Sequence, residues 1–356
     1  MSILDLARPE IRRLRAYEAA QQIDDTIRLN AHEAPDSGAA GSFRRPLNRY
    51  PEVRPLGLQR ALAGRFGCSP EQLLVTRGSS EAIDLVIRAF CRAGEDAVLV
   101  TKPSFSMYRH YAEVQGARLI EVPTLAARDF AIDVDAILSA CDDSTRLIFV
   151  CSPNNPTGTT LPRDDLEKLL RQRGDRSAVV VDEAYVEFGK VESVTSLLGR
   201  HDNLLVLRTL SKALGFAGVR CGAVAGPAPV ISMLSAVQAP YALATPVVEC
   251  VEDALQGHEL ERARAVVETI VAERRRMAEA LQRFAFVSRI WPSDANFLLV
   301  RFDDAQRIMR HCAEHRVLLR HFGGDLHDCI RITIGAPEEN DTLLDALGKY
   351  EDENRG

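Results

Sequence analysis

A lysine that follows a strongly apolar segment is the first residue whose surroundings suggest chemistry. Lys212 comes shortly after the apolar run 204–207 and stands near two hydroxyl side chains, Thr209 and Ser211. A lysine amine forms a Schiff base with an aldehyde once its surroundings depress its pKa. Arg220 follows eight positions later, and its guanidinium and the two hydroxyls together could bind a phosphate. Taken alone, a lysine is more often a solvated surface residue.

An acidic residue ends another apolar segment. Asp182 closes the run 178–182, and Tyr185 lies three positions further on. The carboxyl ends of parallel strands are where α/β folds place ligand contacts. A carboxylate there would keep a pyridine nitrogen protonated, which makes the ring an electron sink, and Tyr185 would donate to a phenolic oxygen of that ring. A metal ligand or a helix cap is the alternative interpretation of Asp182 alone.

Two turns add candidate ligands. The turn 151–158, with the sequence CSPNNPTG, follows a third apolar run, and its two prolines fix a rigid loop that presents Asn155. Ser79 and Ser80 stand where a strand-like segment meets a helical one, and the free backbone N–H groups of a helix start bind phosphate. Neither a dinucleotide-binding glycine fingerprint nor a Walker P-loop is present. Each turn by itself is weak evidence.

These residues need a sheet to position them. Short β-branched runs recur along the chain, with helical patterns such as 81–91 and 163–173 between them. The alternation predicts an α/β fold with a mostly parallel, seven-stranded sheet covered by helices. The predicted strands are 72–76, 97–101, 118–122, 147–151, 178–182, 204–207 and 222–225.

The pattern changes after about residue 245. A charged helical run covers 248–284, and strand-like segments follow at 296–301, 317–320 and 329–334. A chain of 356 residues exceeds one small core, so two domains are expected. We predict an N-terminal helix and connector over 1–45 that packs with the small domain, a large domain over 46–247, and a smaller α+β domain over 248–356.

Composition excludes several classes of protein. A net charge of −6 without a long basic run disfavours nucleic acid as a partner. Eight cysteines without a C-x-x-C pair indicate reduced core thiols, so we expect no metal site and a cytoplasmic location. The first 20 residues lack a signal-peptide core, and four prolines make the charge-free stretch 221–248 unsuitable as a membrane helix.

Together the motifs resemble the fold-type I pyridoxal-phosphate enzymes of the aspartate aminotransferase superfamily. Their order matches that superfamily: GSSE at 78–81, an aromatic at Phe105, NPTG at 155–158, Asp182 with Tyr185, SK at 211–212, and Arg220. Within it, four segments resemble the histidinol-phosphate aminotransferase family: NRYP at 48–51, PSFSMY at 103–108, APY at 239–241 and RITIG at 331–335. The resemblance runs from about residue 29 to residue 346.

The resemblance implies a role for each matched residue. Lys212 would bond to pyridoxal 5'-phosphate and carry the α-proton, and Asp182 would pair with the pyridine nitrogen. Asn155 and Tyr185 would contact the ring oxygen, and Phe105 would stack on the ring. The cofactor phosphate would be held by Ser79, Ser80, Thr209, Ser211 and Arg220, with Tyr50 reaching it across the interface of a homodimer.

The resemblance also implies the substrates. The reaction would convert imidazole-acetol phosphate and L-glutamate to L-histidinol phosphate and 2-oxoglutarate in histidine biosynthesis, by a ping-pong mechanism. Arg331 would bind both the carboxylate of glutamate and the phosphate of histidinol phosphate, Arg320 would be a second phosphate ligand, and Asn30 would contact the substrate. For Arg331 alone, an ion pair between domains is the alternative.

Other functions stay open at this stage. Ala34 stands where the family carries an aromatic substrate contact, so an aminotransferase for aromatic or other phosphorylated amino acids is one alternative. Decarboxylation of a phosphorylated amino acid on the same fold is a second. A non-catalytic regulator is a third, although no DNA-binding segment is attached.

Overall fold

One seven-stranded sheet dominates the computed structural model, which describes residues 2–17, 22, 30–34 and 43–354. The strands are β1 Leu73–Thr76, β2 Ala97–Lys102, β3 Arg118–Pro123, β4 Thr145–Cys151, β5 Ala178–Asp182, β6 Leu204–Thr209 and β7 Gly222–Ala225. They lie in the order β1-β7-β6-β5-β4-β2-β3. Strand β7 runs antiparallel to both neighbours, and the other pairs are parallel. The predicted mostly parallel sheet is therefore confirmed.

The central strands are buried on both faces, which explains their continuous apolar sequences. On β5, Val179 and Val181 belong to the apolar core on one face of the sheet, whereas Ala178 and Val180 belong to the core on the other. A strand covered on both sides gains from an apolar residue at every position. Helices before, between and after these strands supply the cover.

The helices follow the predicted alternation, and none within the described residues is long and apolar enough to cross a membrane. They are α1 Pro9–Arg12, α2 Leu56–Phe66, α3 Ser79–Phe90, α4 Met107–Gln115, α5 Val134–Ala140, α6 Arg163–Arg173, α7 Ala228–Val237, α8 Thr245–Ala254, α9 His258–Leu281, α10 Ala305–Glu314 and α11 Pro337–Asn354.

A second, smaller sheet follows α9. Its strands are β8 Val287–Ile290, β9 Phe297–Phe302, β10 Arg320–His321 and β11 Cys329–Thr333, in the antiparallel order β10-β11-β9-β8. Its apolar core joins side chains of β9 and β11 to others on α9, α10 and α11. The predicted smaller α+β part is confirmed, although β8 was not predicted. The domain boundaries at 45/46 and 247/248 stay predictions.

The N-terminal segment corrects one expectation. Ile3 and Ala7 are buried in the same apolar core as residues of the large sheet and of α3 and α7. The Arg8 amide donates to the Ala89 carbonyl at the end of α3, at 3.0 Å. The prediction that this helix packs with the small domain is wrong, because its few apolar side chains are covered by helices that pack on the large sheet. Residues 35–42 of the predicted connector lie outside the described residues.

Candidate active site

The candidate site lies where three adjacent parallel strands end. Cys151, Asp182 and Thr209 are the last residues of β4, β5 and β6, which are neighbours in the sheet. Parallel neighbours end at the same edge, so the loops that follow them converge there. A cavity of about 880 Å³ opens at this edge. Every predicted site residue except Tyr50 and Asn30 lines it: Ser79, Ser80, Phe105, Asn155, Asp182, Tyr185, Thr209, Ser211, Lys212, Arg220, Arg320 and Arg331.

One end of the cavity is a cup of hydrogen-bond donors that could bind an anion. Helix α3 begins at Ser79, so the amides of its first turn, including that of Ser80, have no partner within the helix. The hydroxyl oxygens of Thr209 and Ser211 lie 3.0 Å apart, and Arg220 Nη1 donates to Ser211 Oγ at 3.4 Å. Free amides, hydroxyls and a guanidinium in one concavity suit a phosphate group.

Two glycines allow the cup to form, and sequence reasoning assigned a role to neither. Gly78 has φ +75°, and a Cβ there would meet Arg220 Nη2 at 2.7 Å. Gly222 on β7 lies against the same turn, because a Cβ on it would come within 2.8 Å of the Gly78 carbonyl carbon. A larger residue at either position would displace the turn or the guanidinium. The left-handed turn after β1 is the local feature that could have indicated Gly78.

Lys212 faces the open cavity, yet the protein around it changes its chemistry. Desolvation lowers the pKa of Lys212, the positive charges of Arg331 and Arg220 lower it further, and Asp182 opposes the change. Its Nζ lies 5.8 Å from the centre of the Tyr185 ring. A lowered pKa leaves more of the amine neutral, and the neutral amine is the nucleophile.

Asp182 is a carboxylate at the floor of the cavity and only 2% exposed. Its Oδ2 accepts a hydrogen bond from the Tyr108 hydroxyl at 2.7 Å, and its Oδ1 accepts one from the Ala184 amide at 3.1 Å. Burial raises the pKa of Asp182, while the two hydrogen bonds and the charge of Lys212 counteract this. Sequence reasoning did not find Tyr108, which no local pattern connects to Asp182.

Asn155 joins two neighbouring groups of the site. Its Nδ2 donates to the Tyr185 hydroxyl at 3.3 Å, and its Oδ1 accepts from Arg331 Nη1 at 2.5 Å. Burial raises the pKa of Tyr185, so its hydroxyl keeps its proton at neutral pH and can donate it. The structure thus connects the turn after β4, the turn after β5 and strand β11.

Two arginines form the wall opposite the sheet. Arg320 on β10 and Arg331 on β11 are direct partners in the antiparallel ladder, so their side chains leave the same face of the small sheet. The Nε atom of Arg331 is buried and has no hydrogen-bond partner within the described residues. Desolvation lowers the pKa of Arg331, as does the charge of Arg320. Like charges directly opposite one another are destabilising unless an anion lies between them.

The structure does not bring Tyr50 or Asn30 to this cavity. Tyr50 is 50% exposed and stacks on Tyr241, with the ring centroids 4.7 Å apart. Asn30 is exposed. Neither residue lines the cavity within the described part of the chain, so their predicted contacts stay predictions. No group of His, Cys, Asp and Glu side chains in the described residues is arranged to hold a metal ion.

Comparison with known proteins agrees with this geometry. The chain belongs to the family of class I and II aminotransferases, whose model matches residues 17–347. It is 42% identical to the histidinol-phosphate aminotransferase of Xanthomonas euvesicatoria pv. vesicatoria over 99% of this chain and 98% of that relative. It is 44% identical to the protein of the same name from Xylella fastidiosa over 97% of this chain and 96% of that relative.

A solved structure shares the fold. The histidinol-phosphate aminotransferase from Sinorhizobium meliloti, in complex with pyridoxal-5'-phosphate, superposes with a TM-score of 0.78 at 23% identity. The match covers 86% of this chain and 84% of that one. The predicted fold class, a fold-type I aminotransferase with a large sheet and a smaller α+β part, is confirmed.

Proposed function

We propose that this protein transfers an amino group between L-glutamate and imidazole-acetol phosphate, yielding 2-oxoglutarate and L-histidinol phosphate, with pyridoxal 5'-phosphate as cofactor. One observation carries the proposal. A single cavity joins an anion cup, the Lys212 amine, a buried carboxylate and a wall of two register-paired arginines. The names of the relatives at 42% and 44% identity support the choice of histidinol phosphate.

The residues present fit the cofactor. The cup at the start of α3 offers amides, hydroxyls and Arg220 to the phosphate. Asp182 offers a buried carboxylate to the pyridine nitrogen, and the Tyr185 and Asn155 side chains offer donors to the ring oxygen. Phe105 lines the cavity and can cover one face of the ring. When bound, pyridoxal phosphate supplies an electron sink and carries the amino group.

Lys212 is the residue that we assign to proton transfer. Its neutral amine accepts the proton from the α-carbon of the amino substrate and returns a proton to the keto substrate in the second half of the cycle. A side chain positioned in this way contributes about 10²–10⁴-fold to the rate. The lowered pKa of Lys212 suits this role, because the protonated amine cannot act as a base.

Arg331 is the residue that we assign to both substrates. A guanidinium binds a carboxylate or a phosphate through two parallel hydrogen bonds, so one side chain can serve both halves of a ping-pong reaction. Arg320 adds a second positive charge from the opposite strand, which favours the more highly charged phosphate. Asn30 stays a predicted substrate contact.

A homodimer with shared sites is part of the proposal. Tyr50 lies on the surface and away from the cavity of its own chain, as a residue that serves a second subunit would. Mixing Tyr50→Ala and Lys212→Ala proteins, each inactive alone, is expected to restore partial activity, since a mixed dimer contains one intact site. No recovery in demonstrated mixed dimers would contradict shared sites.

The test of the function is a spectroscopic half-reaction. Holoenzyme is mixed separately with histidinol phosphate, glutamate, tyrosine and phenylalanine, and the loss of visible cofactor absorbance is followed. We expect rapid loss with histidinol phosphate and glutamate, and recovery when 2-oxoglutarate is added. Rapid turnover of tyrosine or phenylalanine without any of histidinol phosphate would favour the aromatic aminotransferase. Release of carbon dioxide in place of a keto acid would favour the decarboxylase.

A further inference from the structure

We propose that Tyr108 is a positioning residue for the reaction proposed above: its hydroxyl holds the Asp182 carboxylate ionised and aimed at the cofactor nitrogen. The inference rests on the proposed function. Its starting point is the 2.7 Å hydrogen bond from the Tyr108 hydroxyl to Asp182 Oδ2, made by a residue that is 1% exposed. The two residues are 74 positions apart in the chain.

The ring of Tyr108 is held on two sides, which fixes the position of its hydroxyl. Tyr108 lies in the first turn of α4 and stacks on Phe149 of β4, with centroids 4.9 Å apart and an interplanar angle of 19°. Phe105, which lines the cavity, meets the same ring edge-on at 5.6 Å. A buried aromatic ring packed in this way has little rotational freedom. The donor is therefore preorganised towards the carboxylate.

The charges around Asp182 explain why it needs this donor. Tyr108 from α4, Cys151 from β4, Tyr185 after β5 and Lys212 after β6 are the titratable groups of the site that act on it. Burial raises the pKa of the Cys151 thiol and of both tyrosines, so these three groups are neutral at neutral pH. Lys212 is the only cation among them, and no described residue forms an ion pair with Asp182.

A neutral donor has an advantage over a cation at this position. A hydrogen bond from a hydroxyl favours the ionised form of a buried carboxylate. An adjacent lysine or arginine would do the same, but its charge would also oppose the positive charge on a protonated pyridine nitrogen. Each carboxylate oxygen can accept two hydrogen bonds. Oδ2 with Tyr108 and Oδ1 with Ala184 therefore both retain capacity for the ring N–H.

The experiment removes the hydroxyl and keeps the ring. In Tyr108→Phe holoenzyme we expect the dissociation constant of pyridoxal phosphate to rise about tenfold, because a hydrogen bond to a charged group is lost. We also expect the pH at which the visible absorbance of the bound cofactor changes to move upward. A ring whose nitrogen is less protonated withdraws less electron density. The Lys212 nitrogen that is bonded to the cofactor then becomes more basic. The matched control is Tyr111→Phe on the same helix, away from the cavity.

A double-mutant cycle shows whether Tyr108 acts through Asp182. In an Asp182→Asn background, Tyr108→Phe is expected to change the dissociation constant less than about twofold, because the carboxylate that it serves is gone. An equal effect in both backgrounds would overturn the proposal. So would a Tyr108→Phe protein with wild-type affinity and absorbance pH but a lower melting temperature, since that hydroxyl would only stabilise packing. Wild-type protein that binds no pyridoxal phosphate would instead overturn the proposed function together with this inference.

Discussion

The two ends of the cavity are built in different ways. At the proposed cofactor end, Asp182 closes a central strand of the large sheet and is 2% exposed, with hydrogen bonds to both carboxylate oxygens. At the proposed substrate end, Arg320 belongs to a two-residue strand and is exposed. The segment that follows, Gly323 to Asp325, is exposed as well. The deep end is thus buried at the edge of the large sheet, whereas the mouth is exposed to solvent.

This contrast has a physical consequence. Loss of a buried, hydrogen-bonded group leaves its partners unsatisfied in a low-dielectric site, which is costly. Loss of an exposed charge is compensated by water and screened by salt. We therefore expect substitutions of groups that only bind to have smaller effects as they move from the buried floor of the cavity towards its mouth.

The largest effect is expected for Lys212→Ala. Loss of the amine removes both the proposed attachment point of the cofactor and the proposed base, so turnover should fall by more than about 10⁴-fold. The visible absorbance of bound cofactor should also disappear. Lys190→Ala, at an exposed lysine, is the control and should behave as wild type. An unchanged spectrum in Lys212→Ala would contradict the assignment.

Substitutions of the two arginines should change the KM of the two substrates differently. Arg331→Ala is expected to raise KM for glutamate and for histidinol phosphate, each by about 10- to 100-fold, because a charge-assisted pair is lost from a half-buried site. Arg320→Ala should raise KM for histidinol phosphate and leave that for glutamate nearly unchanged. Steady-state kinetics with each substrate varied in turn measures both. If Arg331→Ala affected only one substrate, its dual role would be disproved.

An effect of intermediate size is expected on the pH dependence of cofactor uptake, which reports the pKa of Lys212. The rate at which apoenzyme takes up pyridoxal phosphate should reach half its maximum at a pH below 10.5, the ordinary pKa of lysine, because desolvation and neighbouring cations lower the pKa of Lys212. Arg331→Gln removes one of those cations, so the protonated amine is less disfavoured. The pKa of Lys212 then rises and the midpoint moves to higher pH. Arg331→Lys keeps the charge and should move it less; equal shifts in both variants would exclude a charge effect.

The smallest effect is expected for Lys102, at the rim of the cavity mouth. Lys102 lies 3.9 Å from Asp325, but these side chains are 52% and 85% exposed. An exposed ion pair contributes about 0–1 kcal/mol, so Lys102→Ala should change KM for histidinol phosphate only about twofold. Repeating the kinetics in high salt should remove even that difference. A tenfold rise in KM would show that Lys102 contacts the phosphate and that the rim matters more than its exposure indicates.

Sequence alone was informative about the cofactor end because each motif there is local. Asp182 is the last residue of one apolar strand, and Lys212 comes three residues after the end of the next. A parallel sheet brings such strand ends together without further information. The strands themselves were predictable, since burial on both faces makes them continuously apolar. Tyr108 was missed because it lies on helix α4, whereas its partner Asp182 lies on strand β5, 74 residues away.

The substrate end was less predictable because it depends on register. The predicted strand 317–320 begins only at Arg320, and Leu318, which gives that segment its apolar character, is 87% exposed. The pairing of Arg320 with Arg331 follows from how β10 aligns with β11, which no sequence pattern specifies. The prediction of where the N-terminal segment packs was wrong for a related reason. A few apolar side chains such as Ile3 can be covered by either domain, and only the shape of the surface decides.

Chemical trapping of the cofactor tests the central claim most directly. Holoenzyme is reduced with borohydride, digested, and mapped by mass spectrometry to find the lysine that carries the pyridoxyl group. We expect the label on the peptide that contains Lys212 and its absence from the peptides that contain Lys102 or Lys190. Label on either of those lysines, or none on Lys212 in a protein that transaminates, would contradict the account.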